Sequence, residues 1–208
     1  MTAAGTESYK SRRLKQLFRI VTGSTPKTDE PHYWDGGIPW VTPDDLGRLD
    51  TQVIRATART ISDEGLRSCA TTLSPPGSLV LSTRAPIGYV ASTAMDSAIN
   101  QGCRALIPRT GVFSPFYRYV LSTRHNELQA LGRGSTFQEL STQDLGNMLL
   151  PAPRYNQQQT IARFLDKEAA KIDAVIEQTQ RLLSLIDEQR SALITAAVTG
   201  QIDVRGVA

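Results

Sequence analysis

The sequence predicts an α+β fold: a mixed α/β globule over residues 1–153, followed over residues 154–208 by one long C-terminal α-helix and a short tail. Two patterns predict it. Through residue 150, short apolar runs alternate with Gly-, Pro- and Ser-rich turns, as strands and short helices of one globule do. After Pro151-Ala-Pro153 the period changes. Leu165, Glu168, Ile172, Val175, Thr179, Leu182, Ile186, Gln189, Leu193 and Ala196 recur in steps of 3 and 4 residues, and Ile161, Ile176, Leu183 and Ala197 widen the stripe. No Pro or Gly interrupts residues 157–199, and Gly200 stands where a helix C-cap is expected. At 1.5 Å per residue such a helix spans roughly 65 Å, about twice the diameter of a globule this size. Most of its stripe therefore needs a second helix.

The elements follow in order. Residues 1–12 read as a frayed leader. Residues 14–21 open the globule, and Thr22-Gly-Ser-Thr-Pro26 is a turn-rich loop. Residues 38–41 and 51–54 read as short strands, and residues 62–67 as a short helix with Ser62 as its N-cap. Ser74-Pro-Pro-Gly77 turns into a strong strand at 78–83, with further strands at 88–92 and 104–107. One helix is expected over residues 114–131, with Ser114 as N-cap and Pro115 at the first helical position. Gly132-Arg-Gly-Ser-Thr136 is a loop, Ser141 opens one more turn before residues 147–150, and Pro151-Ala-Pro153 forces an extended hinge. The sequence carries no internal repeat and no low-complexity segment.

Composition narrows the class. The chain has 208 residues, 40% of them hydrophobic and 21% charged, enough for a core. No run approaches 18 apolar residues, so no membrane span is expected, and the start lacks the apolar core of a secretion signal. Cys69 and Cys103 lie 34 residues apart without a CxxC, and only His32 and His125 could join them in metal binding. Two reduced thiols in a cytoplasmic protein is the plain reading. The net charge of +3 conceals an asymmetry: through Tyr155 there are 17 Lys+Arg against 13 Asp+Glu, 14 of the former being Arg, whereas residues 156–200 carry 5 against 6. Arginine suits phosphates and guanine edges; a genome that favours Arg codons would give the same count.

Catalytic signals are weak. Ser74-Pro-Pro-Gly77 approaches the (Asn/Asp/Ser)-Pro-Pro-(Tyr/Phe) motif of amino-methyltransferases, but Gly77 cannot stack on a base and no glycine-rich loop follows an early strand. Asp44-Asp45 and Asp63-Glu64 are adjacent carboxylates with no nearby ExK, and neighbours on a strand point to opposite faces. Neither His belongs to a triad or metal spacing, and there is no Walker loop. The polar loops differ. Lys27, Tyr33 and Trp34 follow one turn, Arg84 follows Ser82-Thr83, Asn100 and Gln101 follow a strand candidate, and Arg133, Ser135, Thr136 and Gln138 surround two glycines. These types bond phosphates and read base edges. For Tyr33 and Trp34, packing of a backbone or base competes with core packing, more so for Trp34.

At these residues a family resemblance emerges. Thr22-Gly-Ser-Thr-Pro26, Tyr33-Trp-Asp-Gly-Gly-Ile-Pro-Trp40, Ser82-Thr-Arg-Ala-Pro-Ile-Gly88, Asn100-Gln-Gly-Cys103, Gly134-Ser-Thr-Phe-Gln-Glu-Leu-Ser141, Leu150-Pro-Ala-Pro153, the run Gln157-Gln-Gln-Thr-Ile-Ala-Arg-Phe-Leu-Asp166 and the end Ala196-Ala-Val-Thr-Gly-Gln-Ile-Asp-Val204 occur in that order. The chain resembles the specificity subunit of type I restriction-modification systems, with one target recognition domain and one conserved spacer helix. Members usually carry two of each, so this chain looks like a half-subunit that dimerises, or like the C-terminal half of a longer one.

The resemblance implies a subunit without catalysis that reads one half of a bipartite double-stranded DNA site. It implies docking of methyltransferase subunits, which hold S-adenosylmethionine, and translocase-nuclease subunits that use ATP; no cofactor or metal is expected on this chain itself. The expected DNA contacts are Lys27, Tyr33, Trp34, Arg84, Asn100, Gln101, Arg133, Ser135, Thr136 and Gln138. The resemblance also implies that the long helix forms an antiparallel coiled coil with a partner helix, and the expected homodimer seam is Leu165, Ile172, Val175, Leu182, Ile186 and Leu193. The competing classes are a coiled-coil adaptor whose globule binds protein, and an enzyme with an unrecognised site.

Overall fold

The computed structural model describes residues 9–49, 51–133 and 138–202. It divides into two compact units, residues 1–162 and 163–208. In the first, β1 (Ser11–Arg13) runs into the single-turn α1 (Leu14–Leu17) and β2 (Phe18–Thr22). A 3-10 turn at Pro31–Tyr33 leads into β3 (Trp34–Val41) and α2 (Pro43–Gly47). Next come β4 (Val53–Ile54), β5 (Thr60–Ile61), α3 (Asp63–Ser68), β6 (Leu79–Ser82), β7 (Val90–Thr93), β8 (Ala98–Ile99) and β9 (Cys103–Pro108). Then α4 (Ser114–Ser122), α5 (His125–Leu131), α6 (Thr142–Asn147) and β10 (Leu149–Pro151) precede the long α7 (Tyr155–Val198).

The main sheet has the order β2-β9-β6-β7-β4, antiparallel except for the β4–β7 pair. All four residues of β6, Leu79-Val-Leu-Ser, are buried, as expected of a strand covered on both faces. Its alternation builds two cores. Leu79 and Leu81 join Phe18, Leu106, Tyr117 and Leu121 on one face, while Val80 joins Val41, Ile54, Ala91 and Ile99 on the other. A smaller sheet, β5-β3-β8, carries a third cluster around Trp34, Trp40 and Ile61.

Local chemistry sets several boundaries. The Ser62 and Ser141 hydroxyls accept the backbone N–H of Gly65 and Asp144 at 3.0 Å each, capping α3 and α6 as expected. Three expectations are corrected. Residues 114–131 form two helices, not one: the Ser122 and Thr123 hydroxyls bond back to the carbonyls of Tyr119 and Val120, and Arg124 leaves helical geometry. Ser114 is the first residue of α4, and Phe113 takes the N-cap position without a side-chain bond. Residues 11–13, expected within a frayed leader, form β1, which pairs antiparallel with β10.

The unit boundary falls inside α7 because its first turns pack with the globule. Ala162 is buried in the core, and the buried Gln158 side chain accepts from Phe113 N–H at 2.8 Å and donates to the carbonyls of Gly111 (3.2 Å) and Pro153 (2.9 Å). In the second unit the helix ends as expected. Gly200 has φ +75°, a conformation that favours glycine, and Gln201 N–H closes on Ala196 C=O at 2.9 Å. Ile172 and Leu193 are 60% and 61% exposed, and Val175, Leu182 and Ile186 are also exposed. Leu165 is partly buried.

Candidate nucleic-acid interface

Four loops meet at the ends of β6, β8 and β9. The first, residues 22–27, lies against the end of β8: Ser24 N–H bonds Ile99 C=O at 3.1 Å, and Trp40 Nε1 bonds Ser24 C=O at 3.1 Å. Gly23 is required there, because a Cβ at that position would stand 2.1 Å from the Asn100 carbonyl oxygen. The second is the 99–102 turn. Asn100 Oδ1 accepts Gly102 N–H at 2.9 Å, and Gln101 Oε1 accepts from the Thr25 hydroxyl. The third, residues 83–87, hangs from Gly102, whose carbonyl accepts the backbone N–H groups of Thr83 (2.8 Å) and Arg84 (3.3 Å). The fourth returns through Leu140, whose N–H bonds Thr83 C=O at 2.8 Å, while Arg133 and Glu139 exchange backbone bonds.

Backbone bonding thus gathers Arg84, Asn100, Gln101, Arg133 and Gln138 into one region. Ser135 and Thr136 lie outside the described residues. Arg84, Gln101, Arg133 and Gln138 are exposed and Asn100 is partly buried. The cations are less free than their sequence suggests. Arg84 pairs with Glu139 at 3.1 Å, and Arg133, with a side chain 81% exposed, lies 3.6 Å from Asp144. A single exposed contact such as Arg133–Asp144 contributes little stability and can exchange partners readily.

Lys27, Tyr33 and Trp34 form a separate corner. Lys27 is exposed, and its carbonyl accepts Trp34 Nε1 at 3.1 Å. Tyr33 is partly buried, with its ring 4.3 Å from that of His32. Trp34 is buried and packs edge-on against Trp40 at 5.1 Å, so its ring belongs to the core rather than to a surface that meets DNA. The surface over it belongs to Arg59, whose guanidinium sits 3.5 Å from the indole centroid. Arg59 has no signature in sequence, since 25 residues separate it from Trp34. It also lines a cleft of about 460 Å³ with Thr42, Pro43, Asp45, Pro86 and Asn100, so the cleft joins the two corners.

The profile of the family described as "Type I restriction modification DNA specificity domain" matches residues 6–183. This chain belongs to that family. The specificity domain is 34% identical over 184 residues to the type I restriction enzyme MjaIX specificity subunit of Methanocaldococcus jannaschii, covering 88% of this chain and 42% of the relative. It is 25% identical over 185 residues to the EcoR124I/EcoR124II specificity subunit of Escherichia coli, covering 86% and 45%. Its fold is similar to a chain solved in a study of complex assembly and conformational transition of the type I system (TM-score 0.77, 21% identity, 94% of this chain and 47% of that one). It is also similar to the HsdS subunit from Thermoanaerobacter tengcongensis (TM-score 0.64, 22% identity, 83% and 40%). The chain spans less than half the length of these relatives.

Type I specificity subunits are non-catalytic, and the local chemistry of this specificity domain accounts for the groups that could suggest otherwise. Asp44 and Asp45 lie in the first turn of α2, not on a strand. Asp45 accepts from Thr42 N–H at 2.8 Å and from Ala58 N–H at 2.8 Å, and Asp44 pairs with Arg48 at 2.7 Å. They cap and tie a helix. Among the described residues no group of three His, Cys, Asp or Glu is placed to hold a metal ion. Burial, reinforced by the nearby Asp45, pushes the Cys103 thiol up, so it carries no thiolate near neutrality. No helix of the described residues is long and apolar enough to cross a membrane.

Proposed function

We propose that the globule reads one half of a bipartite double-stranded DNA site and that α7 pairs antiparallel with the same helix of a second chain. Two recognition domains then stand at opposite ends of the assembly, in the cytoplasm with the genome. Methyltransferase subunits dock on it and hold S-adenosylmethionine, and translocase-nuclease subunits that use ATP can join.

The observation that carries this reading is the backbone bonding that links four polar loops to one another, through the carbonyls of Ile99, Gly102 and Thr83, beside a cleft lined by two of them. Arg59, Arg84, Gln101, Arg133 and Gln138 present donors and acceptors on a hydrogen-bonded backbone framework. Arg suits guanine and Gln suits adenine. For the helix, the exposed row Ile172, Val175, Leu182, Ile186 and Leu193 supplies a seam, and the exposed Ile176 and Leu183 broaden it beyond what one partner helix covers. That width accommodates further subunits.

The test is enrichment of duplexes from a randomised pool by the full chain with its cognate methyltransferase subunit. The reading predicts one recovered motif containing two inverted half-sites. Recovery of no shared sequence, with protein that is folded and bound to its partner, refutes it.

A further inference from the structure

Glu139 stands where two of the candidate DNA loops cross. Its carboxylate is divided between two arginines of opposite character. Oε1 accepts from Arg104 Nη2 at 3.3 Å, and Oε2 accepts from Arg84 Nε at 3.2 Å and faces Arg84 Nη2 at 3.1 Å. The Arg104 side chain is 7% exposed, and its remaining donors are committed to protein: Nε to the Thr142 hydroxyl at 2.8 Å, Nη1 to the Gln101 and Cys103 carbonyls at 2.9 Å each. The Arg84 side chain is 47% exposed, and among the described residues its Nη1 has no partner. The backbone supports the same arrangement, because residue 139 bridges both Arg84 and Arg133.

We infer that Glu139 is a positioning residue for sequence reading: it fixes the plane of Arg84 and offsets part of its charge, so that Arg84 meets a base edge rather than a phosphate. The inference rests on the DNA-recognition reading above and assigns roles within that site. A phosphate anchor works by displacing condensed counterions, which requires uncompensated charge. An arginine already paired with a carboxylate releases few. A base reader needs the opposite: a guanidinium held in one plane with donors still open. Arg104 makes the device rigid, since its other bonds leave it no freedom to follow Arg84. Arg104 therefore holds Glu139 from the buried side, and Glu139 in turn holds the exposed Arg84.

The experiment uses the full chain and duplexes enriched by the unaltered protein from a randomised pool. Affinities are measured over a salt series for that duplex, for its single-base-pair variants, and for an unrelated duplex of equal length. Glu139→Gln keeps an oxygen for Arg104 but removes the charge. It should tighten binding to the unrelated duplex at low salt and steepen the slope of log K against log salt by about one, as Arg84 turns to a phosphate. It should also reduce discrimination at one base-pair position by roughly tenfold. Arg84→Ala should lose discrimination at that same position with the slope nearly unchanged, and Glu139→Gln added to Arg84→Ala should change nothing more. A merely structural Glu139 would instead weaken all duplexes alike in both backgrounds and lower the melting temperature. That pattern, or a Glu139→Gln protein indistinguishable from the original, overturns the inference. An unaltered protein that enriches no sequence overturns the DNA reading itself, and this inference with it.

Discussion

Replacing Gln158 by Leu should destabilise the globule by about 2–4 kcal/mol. The side chain is 2% exposed and joins three separated backbone groups: the Phe113 N–H, the Gly111 carbonyl and the Pro153 carbonyl. Leu occupies a similar volume, so the cavity contribution is small and the loss is polar. A buried backbone group left without a partner costs about 1–3 kcal/mol, and water reaching the part-buried Phe113 and Gly111 bonds lowers the sum. The assay is urea unfolding followed by tryptophan emission. Trp34 and Trp40 both lie in the aromatic cluster of the globule, so the signal reports on it without contribution from the rest of α7. The expected result is a lower midpoint with an unchanged m-value. A loss below about 1 kcal/mol would refute the claim that these three bonds root the helix, since the smallest per-group cost would then already be too large.

Three further predictions follow from separate parts of the molecule. Leu182→Asp combined with Ile186→Asp should weaken self-association by about a hundredfold or more, because each seam residue contributes about 1.5–3 kcal/mol on burial; light scattering across a dilution series would show it, with the tryptophan-monitored midpoint of the globule unchanged. Arg59→Ala should cost about 0.5–1 kcal/mol and shift tryptophan emission to the red as the Trp34 ring gains water, whereas an unmoved spectrum would contradict the stacked lid. Stability should fall at alkaline pH. Burial raises the Tyr117 phenol from 10.0 to about 12 and lifts the Cys103 thiol above its ordinary 9.0, so the folded state holds both protons where the unfolded state releases them. Their contribution is complete below the unfolded values and is lost as pH rises toward the folded ones, so a urea midpoint that stays flat through roughly pH 11 would contradict it.

What the sequence disclosed divides by range. The stripe from Ile172 to Leu193, the caps at Ser62 and Ser141 and the buried strand around Val80 were legible because each is written within a few neighbouring residues. The break between α4 and α5 was not, since the back-bonding of Ser122 and Thr123 competes with a helix pattern that otherwise runs on. The site was legible in its exposed loop residues and not in what arranges them. Glu139 reaches 55 residues back to Arg84 and 35 back to Arg104, and Arg59, just before β5, covers a tryptophan of β3. Such pairings exist only once the sheet order is set. Trp34 shows the converse: the same loop signal that marked Lys27 marked a ring that the third core cluster consumes.

In the proposed assembly, two copies of one recognition domain read DNA at a distance fixed by paired helices. Mapping methylated sites across the genome of a cell carrying this chain and its methyltransferase partner tests it most directly. Two-fold symmetry requires the axis of the dimer to coincide with that of the DNA. The expected motif is therefore palindromic and split, with two identical inverted half-sites around an unread spacer of constant length. A motif with two unrelated halves, or a single uninterrupted site, would contradict it.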